Sequence, residues 1–308
     1  MLPYSGKIKE CSTIWVHLCA NLLVAHSHFV LRSSNSSKKA GNMNSTPYPH
    51  LLLEIHAETA FITLNKPETR NAFNAELIHS ITALFADLAP RDDIRAVILR
   101  GAGSSFCAGG DLGWMKASAG WTYEENIADA TALADMYEQI NTFPGVVICA
   151  VHGHAFGGGI GLTAVSDIVL AETATLFSFS EVKLGLAPAT IAPYVVAKIG
   201  ETHARALFLT GERFSAAKAK EIGLVHFIAD QAAMDHELQN ILAAIQSNGP
   251  QAMRETKRLL RVLAIADRAA ARQSSIATIA SLRASPEGQE GLKAFFEKRH
   301  ASWVVTEK

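Results

Sequence analysis

Four cysteines in 308 residues, Cys11, Cys19, Cys107 and Cys149, form no C-x-x-C pair and no zinc spacing. That argues against a disulfide framework and a thiolate metal site, and fits a reducing compartment. Charge of one sign is also lacking: 28 Lys and Arg against 29 Asp and Glu leave a formal charge of −1. Such a balance gives no general pull towards nucleic acid or an anionic membrane, and neither partner is expected. Long apolar runs are missing. The stretch Ile14 to Val24 is too short for a membrane span and is interrupted by His17 and Asn21. Neither G-x-G-x-x-G at a strand–helix turn nor G-x-x-x-x-G-K-[ST] occurs, so dinucleotide and P-loop folds do not compete.

What the chain has is apolar material, 49 % of its residues, enough for a sizeable core. Strands are expected at Leu51–Ile55, Ala60–Leu64, Ala96–Gly101, Val146–Val151, Ile168–Ala171 and Phe177–Phe179. Between Asn74 and Leu88, Leu77, Ile78, Ile81, Leu84, Phe85 and Leu88 recur at helical spacing, with Asn74 as cap and Phe73 as a staple on Ile78. A second helix is predicted from Tyr123 to Asn141, and a short one from Ser215 that Gly223 ends. After Thr190 the pattern is helical. Strand–helix alternation followed by helices predicts an α/β core, 43–245, and a C-terminal helical region, 246–308. Residues 1–42 differ: Lys7, Lys9, Arg32, Lys38 and Lys39 face one acid, Glu10. A signal-like segment, an organellar transit peptide and sequence upstream of a start at Met43 compete. The last is favoured, because MNSTPYPHLLLEI reads as a natural beginning, and the segment is expected to be poorly ordered.

Two glycine-rich turns stand out. One is FCAGGDL, Phe106 to Leu112. The other is HAFGGGIGL, His154 to Leu162, followed by FSFSEVKLGL, Phe177 to Leu186. Each follows an apolar run and precedes a helix. Glycine turns of this kind aim backbone N–H groups at one spot, and two converging on one oxygen would make an oxyanion hole. Glu181 would supply acid/base chemistry beside the polarised carbonyl. The competing reading is that the glycines merely allow close strand–helix packing and that Glu181 is a loop glutamate in solvent.

With LNKPETRNAF (Leu64 to Phe73), LTGERFSAAKAKEIGLV (Leu209 to Val225) and GLKAFFEKR (Gly291 to Arg299), these motifs resemble the enoyl-CoA hydratase/isomerase (crotonase) family, in the family's order, from Leu51 to Trp303. The resemblance implies stacked ββα turns forming a superhelical core, a C-terminal helical cover, and a homotrimer or hexamer. It implies an acyl-CoA substrate, whose coenzyme A arrives as part of the thioester, with no separate cofactor and no metal. The matching oxyanion donors are Gly110 and Gly158, and the matching catalytic carboxylate is Glu181. The coenzyme-binding positions are Arg70, Ala108, Gly110, Asp111, Leu112 and Gly158, with Lys293 and Phe296 reaching the coenzyme of a neighbouring subunit. Fatty-acid or leucine breakdown in the cytoplasm, or in the mitochondrial matrix of a eukaryote, would be the setting.

One position departs from the pattern. Many family hydratases carry a first glutamate where this chain has Gly161. That leaves three readings: a hydratase with one carboxylate, a double-bond isomerase using Glu181 alone, or a non-catalytic scaffold or RNA-binding homologue. SEVKLGLAPATIAPYVVAKIG (Ser180 to Gly200) together with GGGIGL is similar to the 3-methylglutaconyl-CoA and carboxygeranoyl-CoA type hydratases, which also lack that glutamate. Their substrates bear a distal carboxylate, for which Lys183 and Lys198 are candidate partners; surface lysines are the plainer reading. Tyr123, Glu124 and Glu125 are candidates to hold water in place of the missing glutamate. Trp114 and Met115 are candidate walls of the acyl pocket. Cys107 is a nucleophile candidate without a base beside it in sequence. His152 and His154 read as satisfied histidines, and Asp111 and Asp167 as turn and strand-end residues.

Overall fold

The computed structural model describes residues 47–304. The expectations for residues 1–42 lie outside the described residues. The chain opens with a hairpin, β1 (Leu51–His56) antiparallel to β2 (Thr59–Leu64). Helix α1 (Ala75–Leu88) follows. Asn74 caps it by accepting from Leu77 N–H at 2.9 Å, and its apolar face, Leu77 through Leu88, is buried as the spacing predicts. Strand β3 (Ala96–Gly101) leads through the first glycine turn into α2 (Leu112–Ser118) and α3 (Tyr123–Asn141). A Thr122–Glu125 capping box starts α3. Then come β4 (Val146–Val151), β5 (His154–Phe156), α4 (Gly158–Val165), β6 (Ile168–Glu172), β7 (Leu176–Ser178) and α5 (Ala192–Thr210). The chain closes with β8 (Arg213–Ser215), α6 (Ala216–Glu221), β9 (Phe227–Ala229), α7 (Met234–Gln246), α8 (Pro250–Ile265), α9 (Arg268–Ala284) and α10 (Pro286–Phe296). The boundary expected at 245 falls at the end of α7.

Two sheets organise these elements. The larger runs β1-β2-β3-β4-β6-β9, parallel beyond its first pair; the smaller runs β5-β7-β8. Their registers reveal a repeat that the sequence does not show. β4 lies in the large sheet and β5 in the small one, and α4 follows; β6, β7 and α5 do the same one strand further on. Isolated bridges Cys107–Ala155 and Phe73–Gly110 continue the small sheet backwards. Each ββα turn is thus stacked on the last.

Period-2 alternation divides the core. Val97 and Leu99 of β3 face a large cluster with α1, α3, α4 and α5. Ala96 and Ile98 face the other way, onto Leu238, Ile241, Leu242 and Ile245 of α7. Each such fully buried side chain contributes about 1.5–3 kcal/mol. Arg95 ties the C-terminal region to the sheet: it pairs with Glu58 and donates to the carbonyls of Gln246 and Trp303. The last helices leave much apolar surface open in the single chain: Leu260, Ile265, Ile279, Phe295 and Phe296 are all more than half exposed. No helix among the described residues is long and apolar enough to cross a membrane.

Candidate active site

Three segments meet at the site. The first turn is clamped on both sides. Phe73 N–H donates to Gly109 O at 2.7 Å and Asp111 N–H to Phe73 O at 2.8 Å, while Cys107 N–H donates to His154 O and Phe156 N–H to Cys107 O, both at 3.0 Å. The second turn is pinned by Gly157 N–H donating to Ser178 O at 3.0 Å. Gly109 has φ 95° and Gly157 φ 49°, a region L-residues rarely adopt. Space is equally short: a Cβ on Gly109 would lie 3.2 Å from Phe156 O, and one on Gly157 would lie 3.1 Å from Glu181 Oε1 and 3.9 Å from Gly109 Cα. The two turns therefore converge, with the Glu181 carboxyl at the junction.

The glycine after each buried one, Gly110 and Gly158, is partly exposed. Among the described residues neither donates its N–H to a protein acceptor. Gly158 opens α4, so the helix N-terminus adds positive potential there. Glu181 starts a 3-10 turn, Glu181–Leu184, that Gly185 closes at φ 74°. Its Oε2 is buried without a hydrogen-bond partner among the described residues. Burial pushes the carboxyl above the ordinary carboxylate range. An unpaired buried polar atom typically costs about 1–3 kcal/mol. A carboxyl kept that way, at the junction of the two turns, can take a proton and return it.

The other expected residues are placed unequally. Ala108 donates its N–H to Arg70 O at 3.0 Å, which holds the first turn against Arg70, itself at φ 54° with an exposed side chain. Asp111 caps α2 through Gly113 and Trp114 N–H and pairs with Lys66 Nζ at 2.8 Å; the Lys66 bond holds it below the usual carboxylate range. Its main chain is engaged as well, the N–H with Phe73 O and the carbonyl with Met115 N–H, so Asp111 shapes the turn. Leu112 is 79 % exposed. Lys293 and Phe296 are exposed on α10. Trp114 and Met115 are the side chains nearest Gly110, and Trp114 Nε1–H donates to Asp129.

Several candidates are excluded. Cys107 is fully buried and its thiol is pushed up to about 12 by desolvation, so no thiolate nucleophile forms. His152 pairs with Gly103 O and His154 with Ser105 Oγ, and burial lowers the His154 pKa, which keeps that ring neutral. No metal-ligating cluster occurs among the described residues. Asp167 accepts from Val147 N–H and pairs with Lys257. Lys198 is neither a surface lysine nor a substrate partner: its Nζ donates to Thr163 O and Ser166 O at the C-terminal end of α4, and burial lowers its pKa to about 8. Lys183 is exposed. Glu125 is committed to its capping box.

Sequence reasoning missed Tyr137. It lies on the buried face of α3, fully inaccessible, and its hydroxyl donates to Gly158 O at 2.8 Å. Its ring also closes the space at Gly161, where a Cβ would sit 2.6 Å from Tyr137 Cζ and 2.4 Å from Ile191 Cγ2. The position of the family's first glutamate is filled, not open. The tyrosine belongs to an ordinary apolar helix face, so no local pattern marks it.

Residues 54–305 match the family model described as enoyl-CoA hydratase/isomerase. The chain belongs to this family. An enoyl-CoA hydratase from Shewanella pealeana is 38 % identical, with a TM-score of 0.80 over 83 % of this chain and 97 % of that one. Pseudomonas aeruginosa AtuE is 35 % identical, with a TM-score of 0.81 over 83 % and 100 %. The mevalonyl-coenzyme A hydratase sidH of Aspergillus fumigatus is 32 % identical over 85 % of this chain and 94 % of that protein. The fold is accordingly the mixed α/β crotonase fold with C-terminal helices, and coenzyme A thioesters are the family's substrates.

Proposed function

We propose that the protein adds water across the α,β double bond of an enoyl-CoA thioester. The reading rests on Glu181, whose Oε2 is buried and unpaired, at the junction of two turns whose next amides, Gly110 and Gly158, are uncommitted. Ionised Glu181 takes a proton from water as the water oxygen bonds to the β-carbon. The electron pair moves to the thioester oxygen, and the Gly110 and Gly158 N–H groups hold the resulting enolate. Protonated Glu181 then gives its proton to the α-carbon. One carboxylate serves both steps, a reading that the closed position at Gly161 supports. A scaffold has no use for an unpaired buried carboxyl, and this disfavours a non-catalytic role.

For the substrate we favour a branched, carboxylated enoyl-CoA such as 3-methylglutaconyl-CoA, on the likeness of the Ser180–Gly200 stretch; a relative named for a mevalonyl thioester is compatible with a branched chain. Coenzyme A enters with the substrate, and no separate cofactor is proposed. The open apolar surface of α8 to α10 supports assembly as a trimer or hexamer. Purified protein given 3-methylglutaconyl-CoA and crotonyl-CoA should yield a product heavier by one water, faster from the former. No gain of water, with a double-bond shift on a 3-enoyl-CoA, would make the protein an isomerase using the same Glu181.

A further inference from the structure

We infer that Tyr137 is a positioning residue for the oxyanion turn, and that Gly161 is glycine to seat it. This rests on the reading of Gly158 as an oxyanion donor. The Tyr137 hydroxyl donates to Gly158 O, so it fixes the plane of the peptide that follows the donor amide. Desolvation raises its pKa well above the ordinary tyrosine value, which keeps it a neutral donor. The ring has no freedom on the turn's side: a Cβ at Gly158 would lie 2.7 Å from Phe73 Cδ2 and 2.9 Å from the Tyr137 oxygen, and one at Gly161 collides with Cζ. Behind it, Tyr194 lies with its ring centroid 6.3 Å away and its hydroxyl bonded to Glu138 at 2.9 Å. Tyr137 is fully inaccessible, so it does not touch substrate. It acts through Gly158. Helix α3 thereby carries a support into the place where a second carboxylate would otherwise stand, and the one-carboxylate site and the tyrosine are one device.

The test compares wild type with Tyr137→Phe, which keeps the ring and removes the hydroxyl, and with Tyr194→Phe, which removes a nearby hydroxyl that does not reach the turn. A misplaced group at a reacting centre costs up to about 100-fold. For Tyr137→Phe, kcat should fall about 10- to 100-fold with KM changed less than about twofold. The red shift of a conjugated dienoyl-CoA bound to the protein, which reports polarisation of the thioester carbonyl, should shrink as well. Tyr194→Phe should leave both within about twofold. Gly161→Ala, whose Cβ presses on both the ring and Ile191 while the hydroxyl is retained, should repeat the Tyr137→Phe signature in protein whose circular dichroism matches wild type. An unchanged kcat and an unchanged shift in folded Tyr137→Phe would overturn the inference, as would a loss confined to KM. If wild type hydrates neither substrate, the hydratase reading fails. The absorbance shift still decides the role of Tyr137.

Discussion

At the scale of the residue, the chemistry we propose falls on Glu181, and its environment sets the pH response. Burial raises its folded-state pKa above the unfolded value of about 4.3. The sign follows from linkage. The stabilising contribution of such a carboxyl is fully present below its unfolded pKa and is lost as pH rises through the folded pKa. As pH rises through that folded pKa the native protein therefore bears the cost of ionising a desolvated carboxyl. Glu181→Gln should melt at a higher temperature than wild type at pH 7, with the gap closing towards pH 4 in a thermal-unfolding series. The same variant should lose about 10²- to 10⁴-fold in kcat/KM, and the acid limb of the wild-type profile should fall above the ordinary carboxylate range. Glu181 was legible because its surrounding motif is local. That Cys107 is inert and Lys198 is engaged was not, since desolvation depends on what packs from elsewhere.

At the scale of the element, the short helices beside the turns are held by their ends. Asp111 accepts two N–H bonds at the start of α2 and neutralises the buried Lys66. Asp111→Ala should cost about 1–2 kcal/mol in denaturant unfolding, and should raise KM as the first turn loosens. At the far end of α4, Lys198 serves the carbonyls of Thr163 and Ser166. Lys198→Met should cost about 1–3 kcal/mol by leaving them unpaired, with kcat nearly unchanged. Elements with strong local signals were read closely: Ala96–Gly101, Val146–Val151 and Tyr123–Asn141 fall where the pattern put them. β5, β8 and β9 escaped notice. Three residues are too few for a period, and these segments are strands because of what they pair with.

At the scale of the whole molecule, helices α8 to α10 expose Leu260, Ile265, Ile279, Phe295 and Phe296 in the single chain, apolar side chains that an assembly would cover. Sedimentation or light scattering should give three or six times the chain mass of 33.1 kDa. Ile265→Glu, at a position 90 % exposed in the single chain, should shift that mass downward if this face joins subunits. The sequence by itself determined the α/β class and marked the two glycine turns and Glu181 as candidates, because each lies in a contiguous motif whose backbone needs are local. Only the tertiary structure decided that the turns converge on one carboxyl, that the ββα units stack, and that Tyr137 and Ile191 fill the position at Gly161. Those are contacts between segments far apart in the chain, made by side chains whose identity is ordinary and whose partners are set by packing.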